Sequence, residues 1–283
     1  MHYKNDEQRL AGLKDKRLVI FDMDGTVYLG NTPLPGAVRL IDRINAREGR
    51  RAVFFTNNVS VNPAYYLEKL DRLGFAASRE GLLTSADVLL KFLNAHRPGK
   101  SVFLLGTPSL ESMFREAGTE LFDCSLYEKG DMSHLPDIVV TSFDTALVYD
   151  RLERACTYIR EGAEWLTTHP DINCPVEYGY IPDSGAINEL IRASTGKPLP
   201  KAFGKPSGEA VDMLGEIYGE GHEHMVIFGD RLYTDIAMGR RNGMTAVLVL
   251  TGEAGLEEAL ALPEAERPDL IFEDLVQAEG YLF

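Results

Sequence analysis

The sequence has little cysteine and little basic charge, and it contains no long apolar run. Its cysteines, Cys124, Cys156 and Cys174, are separated by 32 and 18 residues, which matches no zinc-binding or redox motif, so we expect reduced thiols. The polar amino terminus lacks the apolar core of a signal peptide, and no apolar run approaches the ~18 residues of a membrane span. These absences predict a soluble, cytoplasmic protein without a disulfide framework.

Basic residues are outnumbered by acidic ones. The 29 Lys and Arg residues face 43 Asp and Glu, which gives a formal net charge of −14 at pH 7. Because so acidic a surface repels nucleic acid and anionic membranes, we expect neither as a partner. An anionic substrate must then be attracted locally, by a metal ion or a lysine. Apolar residues make up 45% of the 283 residues, which is typical of a globular chain of one large or two ordinary domains.

Four consecutive apolar residues, LVIF at 18–21, run directly into two aspartates. Such a run predicts a strand that is buried on both faces, as in a parallel sheet. Asp22 and Asp24 follow at its carboxyl end, and the two-residue period of a strand places both carboxylates on one side. Two adjacent carboxylates in a dry site are costly unless a cation neutralises them. We therefore expect a divalent metal, with a phosphate ester bound through it; a plain Asp-Gly turn is the alternative.

Two further apolar runs end in polar groups. VFF precedes Thr56 and Asn57, and VIF precedes Asp230 and Asp235 of GDRLYTD. Strand and helix patterns alternate throughout, which predicts an α/β fold with a doubly wound parallel sheet. The carboxyl ends of parallel strands line one crevice, so these groups and Lys205 should converge there. Such a set of carboxylates, a hydroxyl, an amide and an ammonium suits phosphoryl transfer with Mg²⁺ as cofactor.

The pattern restarts near residue 84 and completes a second α/β set by residue 198. This segment is long enough to fold as a domain, and the residues on either side of it belong together. We therefore predict a core domain formed by residues 1–83 and 199–283, with an inserted domain at 84–198.

The segments FDMDGTVYLG, FFTNN, GKPS and GDRLYTDI, in this order, resemble the four motifs of the haloacid dehalogenase (HAD) superfamily of phosphohydrolases. The inserted segment falls where that superfamily carries its C2 caps. TSFD, THPD and SGAI add a resemblance to subfamily IIA, the NagD-like and p-nitrophenylphosphatase-like enzymes. The resemblance implies a Rossmann-like core with a C2-type cap. It also implies a Mg²⁺-dependent phosphatase for a small phosphate ester, such as a sugar phosphate or nucleoside monophosphate, acting through an aspartyl phosphate.

Roles for individual residues also follow from the resemblance. Asp22 matches the nucleophile, and Asp24 matches the general acid and base. The Mg²⁺ ligands are matched by Asp22, the backbone carbonyl of Asp24, and Asp230. The phosphate-binding residues are matched by Thr56, Asn57 and Lys205. Asp235 matches the second carboxylate of the fourth motif and would reach the metal through water; a first-turn aspartate favoured by the helix dipole is the alternative.

The predicted cap departs from the family pattern in the stretch THPDINCPVEYGYIPDSG. His169 stands where the family usually has Asn, and bulky residues replace its usual glycines. The candidates for contact with the leaving group are Asp144, His169, Tyr178, Tyr180 and Asp183. An irregular loop that packs its aromatic side chains on the cap is the alternative.

Two other functions remain open at the level of sequence. A phosphomutase or phosphotransferase would use the same aspartyl phosphate with a sugar as acceptor. A phospho-accepting regulatory or metabolite-binding module would bind without turnover, although Asp24, the partner for acid catalysis, favours turnover. The sequence also leaves open whether the chain forms a homo-oligomer.

Overall fold

The computed structural model describes residues 5–124, 132–176 and 179–283. The chain forms two compact units. The first unit comprises Met1–Thr56, Pro63–Leu83 and Lys205–Phe283. The second unit comprises Asn57–Asn62 and Thr84–Gly204.

Strands and helices alternate through most of the described residues, which confirms the α/β class. The strands are β1 (Leu18–Phe21), β2 (Tyr28–Leu29), β3 (Thr32–Pro33), β4 (Arg51–Thr56), β5 (Leu82–Thr84), β6 (Val102–Leu105), β7 (Ile138–Thr141), β8 (Glu164–Thr167), β9 (Asn173–Val176), β10 (Gly179–Pro182), β11 (Lys201–Ala202), β12 (Met225–Gly229), β13 (Thr245–Val249) and β14 (Leu270–Phe272). The α-helices are α1 (Glu7–Gly12), α2 (Ala37–Asn45), α3 (Pro63–Arg72), α4 (Ser85–His96), α5 (Pro108–Glu116), α6 (Tyr149–Arg160), α7 (Ser184–Thr195), α8 (Gly208–Tyr218), α9 (Ala237–Arg241), α10 (Leu256–Ala261) and α11 (Leu275–Leu282).

The central sheet has the strand order β14-β13-β12-β1-β4-β5. Strand β1 runs parallel to both β12 and β4, and β13 runs parallel to β12 and β14. All four residues of β1 and all five of β12 are buried, as expected for parallel strands covered on both faces. This sheet confirms the predicted parallel core.

A separate parallel sheet, in the order β11-β8-β7-β6, forms the centre of the second unit. Its apolar cluster includes Phe103, Tyr158 and Trp165. The stretch that was predicted to be irregular contains an antiparallel hairpin, β9 and β10, in which Ile181 pairs with Cys174. Gly179, at a φ of 127° that other residues avoid, begins β10, and this turn signal was missed. Among the helices of the described ranges, none combines the length and apolar character that crossing a membrane requires.

Candidate active site

The strand register of the first unit determines which side chains meet at the carboxyl edge of its sheet. Phe21 of β1 pairs with Phe228 of β12 on one side and with Phe54 of β4 on the other. One residue further, the backbone N–H of Asp22 donates to the carbonyl oxygen of Phe228 at 2.9 Å. The segments after β1 and β12 therefore leave the sheet side by side, and both carry aspartates.

A buried lysine lies among these carboxylates. Only 2% of Lys205 is exposed, and its ammonium contacts Asp22 Oδ1 and lies 2.8 Å from Asp235 Oδ1. It also donates to the carbonyl oxygen of Phe55 at 3.1 Å. Burial alone would lower the pKa of Lys205, but the two carboxylates raise it above its ordinary value. The lysine is thus held as a cation.

Asp230 is fixed by hydrogen bonds to both of its carboxylate oxygens. The backbone N–H of Glu253 donates to Oδ2 at 2.8 Å, and the Thr26 hydroxyl donates to Oδ1 at 3.4 Å. Burial, followed by the negative charges of Asp22 and Asp235, raises the pKa of Asp230 to about 8. Burial likewise raises the pKa of Asp235 to about 6, although Lys205 opposes the shift. Repulsion among the carboxylates therefore favours the uptake of a proton or a cation.

The donor set fits a divalent metal ion. Carboxylate oxygens of Asp22, Asp230 and Asp235 all lie within 4.8 Å of one another. The ammonium of Lys205 pairs with Asp22 and Asp235. When all three carboxylates are ionised, one ammonium leaves an excess of two negative charges, which a divalent cation would neutralise. Mg²⁺ prefers such oxygen ligands, and acidic groups of this kind could hold it here.

The backbone closes tightly around Asp230. A Cβ added at Gly25 would lie 2.4 Å from Asp230 Oδ2, and one added at Gly252 would lie 2.0 Å from the same atom. The Thr251 hydroxyl donates to the carbonyl oxygen of Gly25 at 2.6 Å, which joins the two segments. Sequence reasoning missed the segment at 251–253. Its signal was Gly252, shortly after the buried strand β13, because a glycine lets the backbone approach a neighbouring side chain closely.

Asp24 lies at the start of the β2–β3 hairpin. It forms an isolated β-bridge with Tyr28, and the backbone N–H of Gly25 donates to the Tyr28 carbonyl oxygen at 2.8 Å. The residue reaches solvent, yet desolvation raises its pKa, opposed by Lys69 and assisted by the charge of Asp22. A carboxyl group that holds its proton to higher pH is suited to act as a general acid.

The two predicted phosphate-binding residues of the second motif belong to different units. Thr56 ends β4 and is buried in the first unit. Asn57 belongs to the second unit, where its side-chain N–H donates to Asp171 Oδ1 at 2.9 Å. A Cβ at Gly204 would lie 2.4 Å from Asn57 Oδ1, so the amide is closely packed on that side too. Phosphate binding by Thr56 and Asn57 stays a prediction.

A second buried polar cluster lies within the second unit. His169 is fully buried, with Nε2 at 2.9 Å from Asp183 Oδ1 and Nδ1 at 2.8 Å from the Thr168 hydroxyl. Asp183 also accepts from the backbone N–H of Ser184, at the start of α7. Both ring nitrogens are therefore engaged inside the unit. Contact of His169 or Asp183 with a leaving group stays a prediction.

The other cap candidates differ in exposure. Asp144 is buried, and its carboxylate pairs with the guanidinium of Arg151 at 2.9 Å. Tyr180 lies on β10 and is 66% exposed. Tyr178 lies outside the described residues. Between the two described residues, Asp144 and Tyr180, it is Tyr180 that the structure leaves open to a ligand, and contact of all three with a leaving group stays a prediction.

Comparison with known proteins agrees with this geometry. Residues 19–120 match the family described as haloacid dehalogenase-like hydrolase, and residues 202–278 match a second description, HAD-hydrolase-like. The chain is 33% identical over 246 residues to the acid sugar phosphatase of Staphylococcus aureus strain MRSA252, which covers 87% of this chain and 91% of that protein.

Solved structures of phosphatases share the fold. The 4-nitrophenylphosphatase of Thermotoga maritima superposes with a TM-score of 0.86 at 36% identity, covering 96% of this chain and 99% of that one. The glycerol phosphate phosphatase of Mycobacterium tuberculosis, solved in complex with magnesium, gives a TM-score of 0.82 at 28% identity. That comparison covers 98% of this chain and 78% of the other. An acidic cluster next to a buried lysine is thus found in a chain that resembles phosphatases over nearly its whole length.

Proposed function

Since this chain belongs to the haloacid dehalogenase-like hydrolase family and is a phosphatase of that family, we propose that it is a Mg²⁺-dependent phosphatase for small phosphorylated metabolites. The substrate class is sugar phosphates or nucleoside monophosphates, and the reaction passes through an aspartyl phosphate, the acyl phosphate of the Asp22 carboxylate. The proposal includes a cap function for residues 84–198 and a cytoplasmic location.

The observation that carries the proposal is the cluster of Asp22, Asp230 and Asp235, in which Asp22 and Asp235 pair with the ammonium of Lys205. A nucleophilic carboxylate must approach a phosphoryl group that is itself anionic. Lys205 offsets part of that repulsion because it is held as a cation directly beside Asp22. The arrangement therefore suits attack on phosphorus better than it suits binding of a neutral ligand.

Each chemical step can be assigned to a side chain. An oxygen of Asp22 forms a bond to phosphorus while the bond from phosphorus to the ester oxygen breaks, and Asp24 gives its proton to the leaving oxygen. Asp24 then accepts a proton from a water that attacks the phosphorus. This second attack releases inorganic phosphate and restores the Asp22 carboxylate.

Asp22 and Asp230 would hold Mg²⁺, together with the backbone carbonyl of Asp24, and Asp235 would orient Lys205 through their ion pair. The ion supplies neutralisation of the negative charge that builds up on the phosphoryl oxygens. Relatives support the substrate class, because one is an acid sugar phosphatase and another a glycerol phosphate phosphatase.

The test is a phosphate-release assay over a panel of sugar phosphates, nucleoside monophosphates and p-nitrophenyl phosphate. We expect release of inorganic phosphate with Mg²⁺, loss of release with EDTA, and recovery when Mg²⁺ is returned in excess. Release that is indifferent to chelation would contradict the metal requirement. Transfer of the phosphoryl group to a second sugar, in place of water, would identify a phosphotransferase.

A further inference from the structure

Lys69 places a second positive charge beside the general acid. It lies on α3 in the first unit, and its Nζ is 3.9 Å from the centroid of the Tyr28 ring. Tyr28 is almost fully buried and forms the β-bridge with Asp24. Lys69 and Asp24 each respond to the charge of the other. The ammonium of Lys69 therefore lies next to Asp24. Its contact residue, Tyr28, differs from the carboxylates that pair with Lys205.

This ammonium is poorly neutralised by the protein. Lys69 is half-buried, and burial of a cation is costly unless an anion or a strong dipole compensates it. In the part of the chain that the structure describes, the contact made by its ammonium is the face of Tyr28, and no carboxylate forms an ion pair with it. A cation over an aromatic ring recovers only part of the lost hydration.

Asp24 is near Lys69 but forms no ion pair with it among the residues that the structure describes. In the proposed reaction Asp24 serves the leaving oxygen, so the side of the site next to Asp24 is where the alcohol part of the substrate lies. An anion on that alcohol would supply the missing partner for Lys69.

We propose that Lys69 binds an anionic group on the leaving alcohol, a carboxylate or a second phosphate, and so selects phosphate esters of acidic alcohols. The inference rests on the proposed phosphatase function and adds to it a charge requirement on the substrate. If Lys69 instead bound the phosphoryl group that is transferred, removal of its charge would lower kcat/KM for every ester equally.

A matched pair of substrates isolates the charge. Glycerol 3-phosphate and 3-phosphoglycerate share a carbon skeleton and differ in a hydroxymethyl group against a carboxylate. Fructose 6-phosphate and fructose 1,6-bisphosphate form a second pair that tests a second phosphate. We call an ester charged when its leaving alcohol carries a carboxylate or a second phosphate, and neutral when it does not. For the wild type with Mg²⁺, we expect kcat/KM to be about tenfold higher for the charged ester than for the neutral ester in at least one pair. Tenfold is the usual scale of a charge-assisted contact.

Variants then connect that preference to Lys69. Lys69→Met and Lys69→Gln remove the charge, and both should raise KM for the preferred charged ester about tenfold while kcat/KM for its neutral partner changes less than about threefold. Lys69→Arg keeps the charge and should keep the preference. The matched control is Arg72→Met, which removes an exposed cation from the same helix and should leave the preference intact.

The outcomes separate this inference from the function on which it rests. A wild type that releases no phosphate from any ester, p-nitrophenyl phosphate included, contradicts the phosphatase proposal itself. A wild type that hydrolyses these esters without preferring either charged one contradicts the role of Lys69. An equal loss on charged and neutral esters in both neutral variants also contradicts it. Selective loss, restored by Lys69→Arg, supports it, and the pair that shows the loss identifies the anion as carboxylate or phosphate.

Discussion

The two units each bury a polar cluster, and the clusters differ in how they balance charge. In the first unit, Asp22 and Asp235 share the ammonium of Lys205, while Asp230 lies beside them without that partner, and burial followed by repulsion raises the pKa of Asp230. In the second unit, His169 and Asp183 bond to one another and to neighbouring Thr168 and Ser184. Both groups have side chains that could hold a metal ion, so composition alone does not distinguish them.

We infer from this difference that an incomplete charge balance indicates a reactive site better than burial or residue type does. In the second cluster, both ring nitrogens of His169 have partners, and Asp183 caps the start of α7. The first cluster keeps an excess of negative charge that a proton or an external cation can balance. We therefore expect substitutions in the first cluster to affect activity and substitutions in the second to affect stability.

The largest effect is expected for Asp22→Asn. The amide cannot attack phosphorus, so phosphate release should fall by about 10⁴-fold or more while the protein stays folded. Steady-state phosphate release, with circular dichroism as the control for folding, measures this. Turnover near the wild-type rate would remove Asp22 from its proposed role.

Asp24→Asn should reduce kcat by about 10²–10⁴-fold for alkyl esters, because the leaving oxygen loses its proton donor. The loss of kcat/KM, which reports attack on the ester and not the later hydrolysis of the aspartyl phosphate, should be much smaller for p-nitrophenyl phosphate, whose leaving group is stable without a proton. Parallel kcat/KM measurements on glycerol 3-phosphate and p-nitrophenyl phosphate make the comparison. A uniform loss of kcat/KM across leaving groups would contradict proton donation by Asp24.

The charge excess should also appear in the stability of the metal-free protein. The pKa of Asp230 rises from 3.8 to about 8 on folding, so the folded state binds the proton more tightly than the unfolded chain. The free energy of unfolding should therefore decrease as pH rises between these values. Asp230→Asn removes this penalty and should stabilise the metal-free protein at pH 8 by about 1–3 kcal/mol, and less at pH 5. Urea unfolding of the wild type and of Asp230→Asn in EDTA, at several pH values, measures this. An equal pH dependence of the free energy of unfolding in the two proteins would contradict the prediction.

The smallest effect on activity is expected in the second cluster. Asp183→Ala removes the partner of His169 and the acceptor for the Ser184 N–H, and should lower the free energy of unfolding by about 1–3 kcal/mol. Asp183→Asn keeps an acceptor and should cost less. We expect kcat to change by less than about threefold in both variants. A large loss of kcat at unchanged stability would instead place this cluster in catalysis.

The sequence predicted the parts of the fold that depend on local pattern. The apolar runs at β1, β4 and β12 indicated buried parallel strands, and polar residues at their ends indicated the edge of the sheet where a site would form. Helix α3 begins at Pro63, directly after Asn62, a residue pair that is typical of a helix start. These signals are local because strand burial and helix capping depend on a few adjacent residues.

Local sequence patterns did not predict the contacts between segments that are distant in the chain. The Glu253 N–H reaches Asp230 because β12 and β13 are neighbours in the sheet, and only the strand order places them so. Lys69 lies over the ring of Tyr28, and no local pattern in α3 indicates that contact. The partners of His169 likewise depend on how the chain returns from β9 and β10 to α7.

Binding of Mg²⁺ to the purified, metal-free chain tests the central claim most directly. Isothermal titration calorimetry should be run above pH 8, where Asp230 is ionised. We predict that one Mg²⁺ binds per chain and that Asp230→Asn weakens binding at least about tenfold. Asp171 could hold a metal ion together with His169 and Asp183 of the second cluster, and we predict that Asp171→Asn leaves binding unchanged. Wild-type protein that binds no Mg²⁺, or binding that survives Asp230→Asn and is lost in Asp171→Asn, would contradict the account.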